Sequence, residues 1–161
     1  QVKLINFKRY TLICWNLMNI VCANCFTTNR IPDDKDYNQG KCGKCQQGVY
    51  SPKPTDLTAN TFYPFIERND LPVIVDFWAS WCGPCQNMAP IYSKVAQLSP
   101  SLLFAKVNTE QVQQVAADAN IRSLPTLVFF YKGEEVDRIS GGLNEMQMKQ
   151  WVVQCLQKFV N

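Results

Sequence analysis

The sequence contains no histidine, and it has no apolar run that approaches the length of a membrane span. It also carries little net charge once its first residues are set aside. Three of the sixteen basic residues (Lys3, Lys8 and Arg9) precede Met18, so the remaining thirteen balance the thirteen acidic residues. We therefore expect no nucleic-acid partner and no membrane association. In the absence of histidine, the expected ligands of a zinc site are cysteines.

Cysteine is what the sequence has in abundance, with eight in 161 residues. Six of the eight form three Cys-x-x-Cys pairs: Cys22/Cys25, Cys42/Cys45 and Cys82/Cys85. Thiols paired at this spacing indicate metal and redox chemistry in a reducing compartment, so we expect a cytoplasmic protein and not a secreted disulfide framework. The apolar fraction of 47% suffices for a packed core, and the length fits one domain plus a small module.

The pair Cys82/Cys85 follows an apolar, β-branched run over residues 73–78, which predicts a buried strand. A Gly-Pro turn separates the two cysteines, and a helical pattern covers residues 86–98. Cys82 is therefore expected at the start of a helix, where free N–H groups and the helix dipole favour the nucleophilic thiolate. Cys85, one turn later, is placed to resolve a mixed disulfide. A structural disulfide or half of a metal site are the alternatives that the spacing leaves open.

The other two pairs are separated by sixteen residues, the spacing of a four-cysteine zinc site. The segment around them has few large apolar side chains, so it needs a metal to hold a fold. The predicted ligands are Cys22, Cys25, Cys42 and Cys45. Two disulfides or an iron centre are the alternatives. The loop over residues 26–41 mixes basic and acidic residues, which favours a structural or partner-docking module.

The run Trp81-Cys82-Gly83-Pro84-Cys85 resembles the active site of thioredoxins. From the central strand onward, the patterns follow the order β-α-β-α-β-β-α, and residues 55–161 resemble a complete thioredoxin domain. The resemblance implies an α/β fold, with a mixed central sheet and helices on both faces. A small zinc-ribbon-like module precedes it. The four-cysteine module, the short linker and the thioredoxin domain together resemble the zinc-binding bacterial thioredoxin 2 group.

Asp76 is an acid inside the apolar strand, and burial there would raise its pKa. Such a carboxylate can act, through a water molecule, as a base for the Cys85 thiol. The resemblance implies this role for Asp76 and places Lys106 beside it. It also implies a cis peptide bond before Pro125, which exposes the backbone of Leu124 to an extended substrate. The substrate platform that it implies consists of Trp81, Gly83, Pro84, Leu124, Pro125 and Gly141.

These features predict a thiol-disulfide oxidoreductase that reduces disulfide-containing protein substrates through its redox-active disulfide. By resemblance, a thioredoxin reductase that uses NADPH and flavin would recharge it. The chain itself would then hold one zinc ion and no organic cofactor, as a monomer. Two alternatives are an exported disulfide oxidase or isomerase, and a zinc-centred protein-binding module on a thioredoxin scaffold. Oxidising relatives have a histidine between the two cysteines, and the Gly-Pro pair here argues against that class.

Three segments are expected along the chain. We interpret residues 1–17 as an extension that is not part of the native protein, whose start would be Met18. A signal peptide is the alternative, although Asn16 and Asn19 interrupt its apolar run. Residues 18–50 are predicted to be the zinc-binding module and residues 51–161 the thioredoxin domain. Cys14 has no assignable role, and Cys155 is expected to be an inert core thiol.

Overall fold

The computed structural model describes residues 17–160, with Val160 described by its backbone alone. Residues 1–16, which include Cys14 and nearly all of the predicted extension, lie outside the described residues. Within the described part, a small two-stranded unit precedes a five-stranded sheet flanked by four helices. No helix in residues 17–160 is long and apolar enough to cross a membrane.

The amino-terminal unit, here called the ribbon (residues 17–50), is built on an antiparallel hairpin. Strands β1 (Leu17–Val21) and β2 (Thr28–Pro32) pair with Leu17 opposite Pro32 and Val21 opposite Thr28. A short 3₁₀ helix, Tyr37–Gln39, follows, and an isolated bridge joins Lys41 to Gly48. Each of these two pairings closes a loop that carries one Cys-x-x-Cys pair.

The five-stranded sheet has the order β3-β5-β4-β6-β7. Strands β3, β5 and β4 are parallel, whereas β6 is antiparallel to β4 and β7 is antiparallel to β6. The strands are β3 (Thr55–Asp56), β4 (Val73–Trp78), β5 (Leu103–Asn108), β6 (Thr126–Tyr131) and β7 (Glu134–Ser140). The helices are α1 (Phe62–Arg68), α2 (Gly83–Gln97), α3 (Gln113–Asp118) and α4 (Glu145–Val160).

Helices cover both faces of this sheet, as the sequence predicts. Successive side chains of a strand point to opposite faces. In the central strand β4, Val73, Val75 and Phe77 belong to the core under α1 and α3, whereas Ile74 belongs to the core under α2 and α4. The near-continuous apolar run of β4 is thus the mark of a strand that is buried on both sides.

The ribbon packs onto the sheet end at which β4 and β5 begin. Asn69 and Asp70, just before β4, bind the backbone of β1: Asn69 Oδ1 accepts the N–H of Val21 at 2.7 Å, and the N–H of Asp70 donates to the carbonyl of Asn19 at 2.9 Å. The hydroxyl of Tyr37 donates to the carbonyl of Pro100, just before β5, at 2.7 Å. Apolar residues of the ribbon and of the core under α1 also form one continuous cluster.

Two local expectations need correction. Residues 46–56 have the composition of a linker, yet Thr55 and Asp56 form β3, which pairs with Ala105 and Lys106. The β-branched and aromatic pair Val49-Tyr50 is compatible with a short strand, but the bridge stops at Gly48 and Val49 is a fully buried core residue. Both outcomes depend on residues that are distant in the sequence, because β3 forms by pairing with β5 and Val49 is buried in the core. The local pattern, in which proline and glycine dominate, indicates neither.

Candidate active site and metal centre

The third cysteine pair lies at the junction between β4 and α2. Cys82 is the residue that caps α2, and its Sγ accepts the N–H of Cys85 at 3.3 Å. The helix begins at Gly83, three residues earlier than the sequence pattern predicts, because the Cys82 sulfur supplies the cap and Pro84 suits the first turn. Cys82 and Cys85 form a disulfide, with Cα atoms 5.3 Å apart. Burial does not distinguish the two sulfur-bearing residues, which are 4% and 2% exposed.

Asp76 lies inside β4, on the strand that leads to this pair. It is 1% exposed, and its Oδ1 has no hydrogen-bond partner among the described residues. Burial raises the pKa of Asp76 to about 7, against the opposing attraction of the Lys106 ammonium. Lys106 is the register partner of Asp76 on β5, and its Nζ lies 4.5 Å from the ring centroid of Trp78. The expected burial of this carboxylate is therefore present.

The residues predicted to form a substrate platform surround the disulfide on two sides. Leu124 packs against the cluster of the two cysteines, and it shares with Trp81 a pocket of about 250 Å³. Trp81 is 71% exposed, and the peptide bond between Leu124 and Pro125 is cis. The additional wall of this pocket, absent from the sequence prediction, is formed by Thr109, Ala116, Ile121, Arg122 and Ser123.

The glycine loop after β7 meets the same region. The N–H of Gly141 donates to the carbonyl of Pro125 at 2.9 Å, and the φ of Gly141 is +100°, a conformation that favours glycine. Its neighbour Gly142 lies against Pro84, since a Cβ there would be 3.6 Å from Pro84 Cβ. A Cβ on Gly83 would meet nothing within 4 Å, so Gly83 faces open space.

The turn before Cys82 is held by a carboxylate that sequence reasoning missed. Glu110 Oε2 accepts both the N–H of Ser80 at 2.9 Å and its hydroxyl at 2.6 Å, and these bonds lower the pKa of Glu110. The Ser80 carbonyl in turn accepts Gln86 Nε2 at 2.6 Å. This network ties the turn to the loop after β5 and to α2. Thirty positions separate Ser80 from Glu110, so no local pattern indicates the contact.

The other four cysteines lie in two loops of the same conformation, here called knuckle 1 (residues 22–27) and knuckle 2 (residues 42–47). In each, the N–H of the first residue donates to the carbonyl of the last, at 3.0 Å in knuckle 1 and 2.8 Å in knuckle 2. The residue after the second cysteine, Phe26 or Gln46, has a positive φ near 60°. Each knuckle thus turns sharply and directs its two thiols to the same side.

The thiols of the two knuckles meet as one cluster. All four sulfur atoms lie within 4.8 Å of one another, with Cys22 Sγ 3.7 Å from Cys45 Sγ and Cys25 Sγ 3.6 Å from Cys42 Sγ. Sulfur atoms at tetrahedral positions about 2.3 Å from a zinc ion are about 3.8 Å apart. The four cysteines are free, so the alternative of two disulfides is absent from this structure. The donor set fits a tetrahedral metal ion.

Comparison with known proteins agrees with both halves of this architecture. The family described as Thioredoxin matches residues 53–154, and the zinc-ribbon family described as Thioredoxin 2, N-terminal, matches residues 21–47. Thioredoxin C-3 of Corynebacterium nephridii is 45% identical over 141 residues, which cover 88% of this chain and 97% of that protein. Thioredoxin 1 of a Nostoc species is 41% identical over 95 residues, or 58% and 89% of the two chains.

Solved structures share the fold of the larger domain. Thioredoxin F from spinach chloroplast has a TM-score of 0.60 and 27% identity, covering 66% of this chain and 87% of its own. The thioredoxin of Plasmodium falciparum has a TM-score of 0.58 and 35% identity, with coverage of 62% and 96%. The chain therefore belongs to the thioredoxin family of thiol-disulfide oxidoreductases, and its ribbon is of the thioredoxin 2 type.

Proposed function

We propose that this protein reduces disulfide bonds in other proteins through the pair Cys82/Cys85. The observation that carries the proposal is a disulfide-forming pair at a helix start, preceded on the same strand by a buried carboxylate whose pKa is raised to about 7. Such a pair can give up two electrons as it closes to a disulfide, and the disulfide can be reduced again. The disulfide in the structure is then the state that follows a turnover.

In the first step the Cys82 thiolate attacks one sulfur of a substrate disulfide. A bond forms between Cys82 and that sulfur, the substrate's sulfur–sulfur bond breaks, and the second substrate sulfur leaves as a thiolate that takes up a proton. The free N–H groups at the start of α2 favour the thiolate of Cys82 over that of Cys85, since Cys82 is the capping residue.

In the second step Cys85 attacks the sulfur of Cys82. The Cys82–Cys85 bond forms, the mixed disulfide breaks, and the first substrate sulfur leaves as a thiolate. Cys85 must lose its proton to react, and Asp76 is the base that we assign to it, through a bridging water molecule. A pKa near 7 suits this role, because the carboxylate is then available at neutral pH and still basic enough to accept the proton. Lys106 favours the ionised carboxylate.

The proposed substrate platform is the exposed surface around the pair. Trp81 offers a large exposed ring, and Leu124 lines the adjoining pocket. The backbone of Leu124 would pair with an extended segment of the substrate, as in strand addition. The loop at Gly141 closes the other side. We assign to this platform Trp81, Gly83, Pro84, Leu124, Pro125 and Gly141.

We further propose that Cys22, Cys25, Cys42 and Cys45 hold one zinc ion per chain. Support comes from the clustering of their four sulfur atoms within 4.8 Å of one another and from the zinc-ribbon family match. When bound, the ion supplies a cross-link between the two knuckles and no redox chemistry, since zinc does not change its oxidation state. The role of the cysteines is to hold the ribbon in the shape that packs against α1 and the sheet.

A thioredoxin reductase would recharge the disulfide with electrons from NADPH and flavin, so no organic cofactor is assigned to this chain. We propose a cytoplasmic monomer divided into a zinc module over residues 18–50 and a thioredoxin domain over residues 51–161.

Insulin-disulfide reduction in the presence of NADPH and thioredoxin reductase tests the proposal. We expect turnover by the full chain and a fall to the background rate in Cys82→Ser, because the substitution removes the attacking sulfur. Cys155→Ser is the matched control, since Cys155 is a fully buried thiol whose pKa is raised to about 12 by burial. Turnover that persists in Cys82→Ser would refute the proposal.

A further inference from the structure

Asn29 joins the two knuckles of the four-cysteine cluster. It lies in β2, two residues beyond knuckle 1, and its side chain reaches knuckle 2. Its Oδ1 accepts the N–H of Gly43 at 2.9 Å, while its Nδ2 donates to the Thr27 carbonyl at 2.9 Å and to Cys42 Sγ at 3.5 Å. These partners also fix the orientation of the amide, because the Gly43 N–H can only donate and the Thr27 carbonyl can only accept.

The two knuckles differ in which group accepts the backbone N–H of the residue that directly follows their first cysteine. In knuckle 1 the N–H of Ala23 donates to the backbone carbonyl of Val49 at 3.3 Å. In knuckle 2 the equivalent N–H, that of Gly43, donates to the side chain of Asn29. Since Asn29 and Val49 stand at the same position after their respective knuckles, each knuckle is held by the segment that follows the other. One of these two cross-contacts therefore depends on a side chain, and Asn29 supplies it.

The first cysteines of the two knuckles differ in the same way. Cys22 Sγ accepts the N–H of Asn24 at 3.4 Å, and Cys42 Sγ accepts the equivalent N–H of Lys44, also at 3.4 Å. Cys42 accepts in addition the Nδ2 of Asn29. Four thiolates carry two more negative charges than a zinc ion neutralises, so each N–H donor to sulfur offsets part of the excess.

We infer that Asn29 is a positioning residue for the metal, a role that rests on the zinc site proposed above. It fixes knuckle 2 at the distance from knuckle 1 that a single ion requires, and it withdraws negative charge from the Cys42 sulfur. Both effects favour the metal-bound ribbon over the metal-free one. No metal-ligating atom belongs to Asn29, so ligand spacing in the sequence does not reveal it.

Zinc affinity of the full chain, measured by competition with a chromophoric chelator, tests the inference. Asn29→Leu keeps the approximate size of the side chain but removes all three hydrogen bonds, and we expect about 10- to 100-fold weaker zinc binding. Asn29→Asp keeps the acceptor for Gly43 and replaces the donor to Cys42 by a carboxylate oxygen. We expect it to weaken binding at least as much.

Asn24→Ala is the matched control within the same ribbon. The side chain of Asn24 donates to the carbonyl of Gly48 at 3.3 Å, while its contact with sulfur is made by the backbone, which the substitution leaves in place. We expect the zinc affinity of this variant to equal that of the unsubstituted chain. A loss as large as that of Asn29→Leu would mean that any lost ribbon hydrogen bond has the effect, and it would overturn the inference.

Cobalt substitution separates the effect on sulfur from a general loss of structure. A hydrogen bond to a thiolate stabilises its lone pairs, so its removal should move the sulfur-to-cobalt charge-transfer band to lower energy in both Asn29 variants. If the unsubstituted chain binds zinc, unchanged affinity or an unchanged band in these variants would overturn the inference about Asn29 and leave the proposed zinc site standing. If the unsubstituted chain binds neither zinc nor cobalt through four thiolates, the proposed zinc site fails and the inference fails with it.

Discussion

The same spacing of two cysteines occurs here in two kinds of backbone. At Cys82/Cys85 the chain enters a fifteen-residue helix, and the pair closes on itself as a disulfide. In the two knuckles of the ribbon, the residue after the second cysteine has a positive φ and the chain turns back into a hairpin. The helix directs both thiols of one pair to each other, whereas the hairpins direct the thiols of two pairs to a common centre.

The two sites also lie at opposite ends of the sheet. The ribbon contacts Asn69 and Asp70, just before β4, whereas Cys82 follows the end of that strand. Six strand residues span about 20 Å, at roughly 3.3 Å per residue. The ribbon can therefore affect the dithiol through the stability of the shared core, whereas the pocket beside Trp81 and Leu124 is lined by residues of the larger domain.

Removal of the metal should have the largest effect on stability. The apolar residues of the ribbon are continuous with the core under α1, and the cysteines that would hold the ion belong to the same cluster, so loss of the ion would disturb both. We expect Cys42→Ser, or a strong chelator, to lower the Tm of the full chain by on the order of 10 °C. Differential scanning calorimetry would measure this. An unchanged Tm in a sample shown to have lost zinc would contradict the structural role.

Replacement of Asp76 should change the dithiol chemistry and leave the ribbon intact. In Asp76→Asn the side chain keeps its size but cannot accept the Cys85 proton, so we expect turnover at neutral pH to fall by about 100-fold. In the unsubstituted chain, turnover should rise with pH through about 7, where the carboxylate ionises. The same rise in Asp76→Asn would show that another group titrates. Zinc content serves as the control and should not change.

The same substitution should make the protein more stable at alkaline pH. The folded-state pKa of Asp76, about 7, lies above its ordinary value of 3.8, so the folded protein binds this proton more tightly than the unfolded chain. This contribution to stability is complete below pH 4 and is lost as the pH rises through 7. Relative to the unsubstituted chain, Asp76→Asn should therefore gain roughly 3–5 kcal/mol in the free energy of unfolding between pH 4 and pH 8. Denaturant titrations at the two pH values would measure the difference, and a gain independent of pH would contradict it.

Loosening the turn before Cys82 should have the smallest effect. Glu110→Gln keeps an acceptor for the Ser80 N–H and hydroxyl but removes the charge, and charged acceptors bind more strongly than neutral ones. Because this contact is exposed, we expect kcat/KM for insulin to fall only about two- to fivefold. Ser80→Ala, which keeps the N–H donor, should lose no more than Glu110→Gln. A larger loss would assign the hydroxyl a role beyond this contact.

Much of this architecture could be predicted from the sequence, because the relevant signals are local. The apolar run of β4 predicts a strand buried on both faces, and the spacing of the ribbon cysteines predicts their meeting at one cluster, as observed. The contacts made by Asn29, Asn69 and Glu110 could not be predicted. Each joins segments that are distant in sequence or separated by a turn, and polar residues in loops and strand ends ordinarily face water. The strand β3 could not be predicted either, because its two residues are too few to show an alternating pattern.

The central claim is that the two kinds of cysteine pair do separable chemistry. The most direct test measures zinc stoichiometry and insulin turnover on the same samples of the full chain, Cys82→Ser and Cys25→Ser, at a temperature where all three are folded. Cys25 is suited to this because it is a half-buried cysteine of the cluster. We expect one zinc and full turnover in the full chain, one zinc and background turnover in Cys82→Ser, and turnover without stoichiometric zinc in Cys25→Ser. Loss of zinc in Cys82→Ser, or background turnover in folded Cys25→Ser, would contradict the claim.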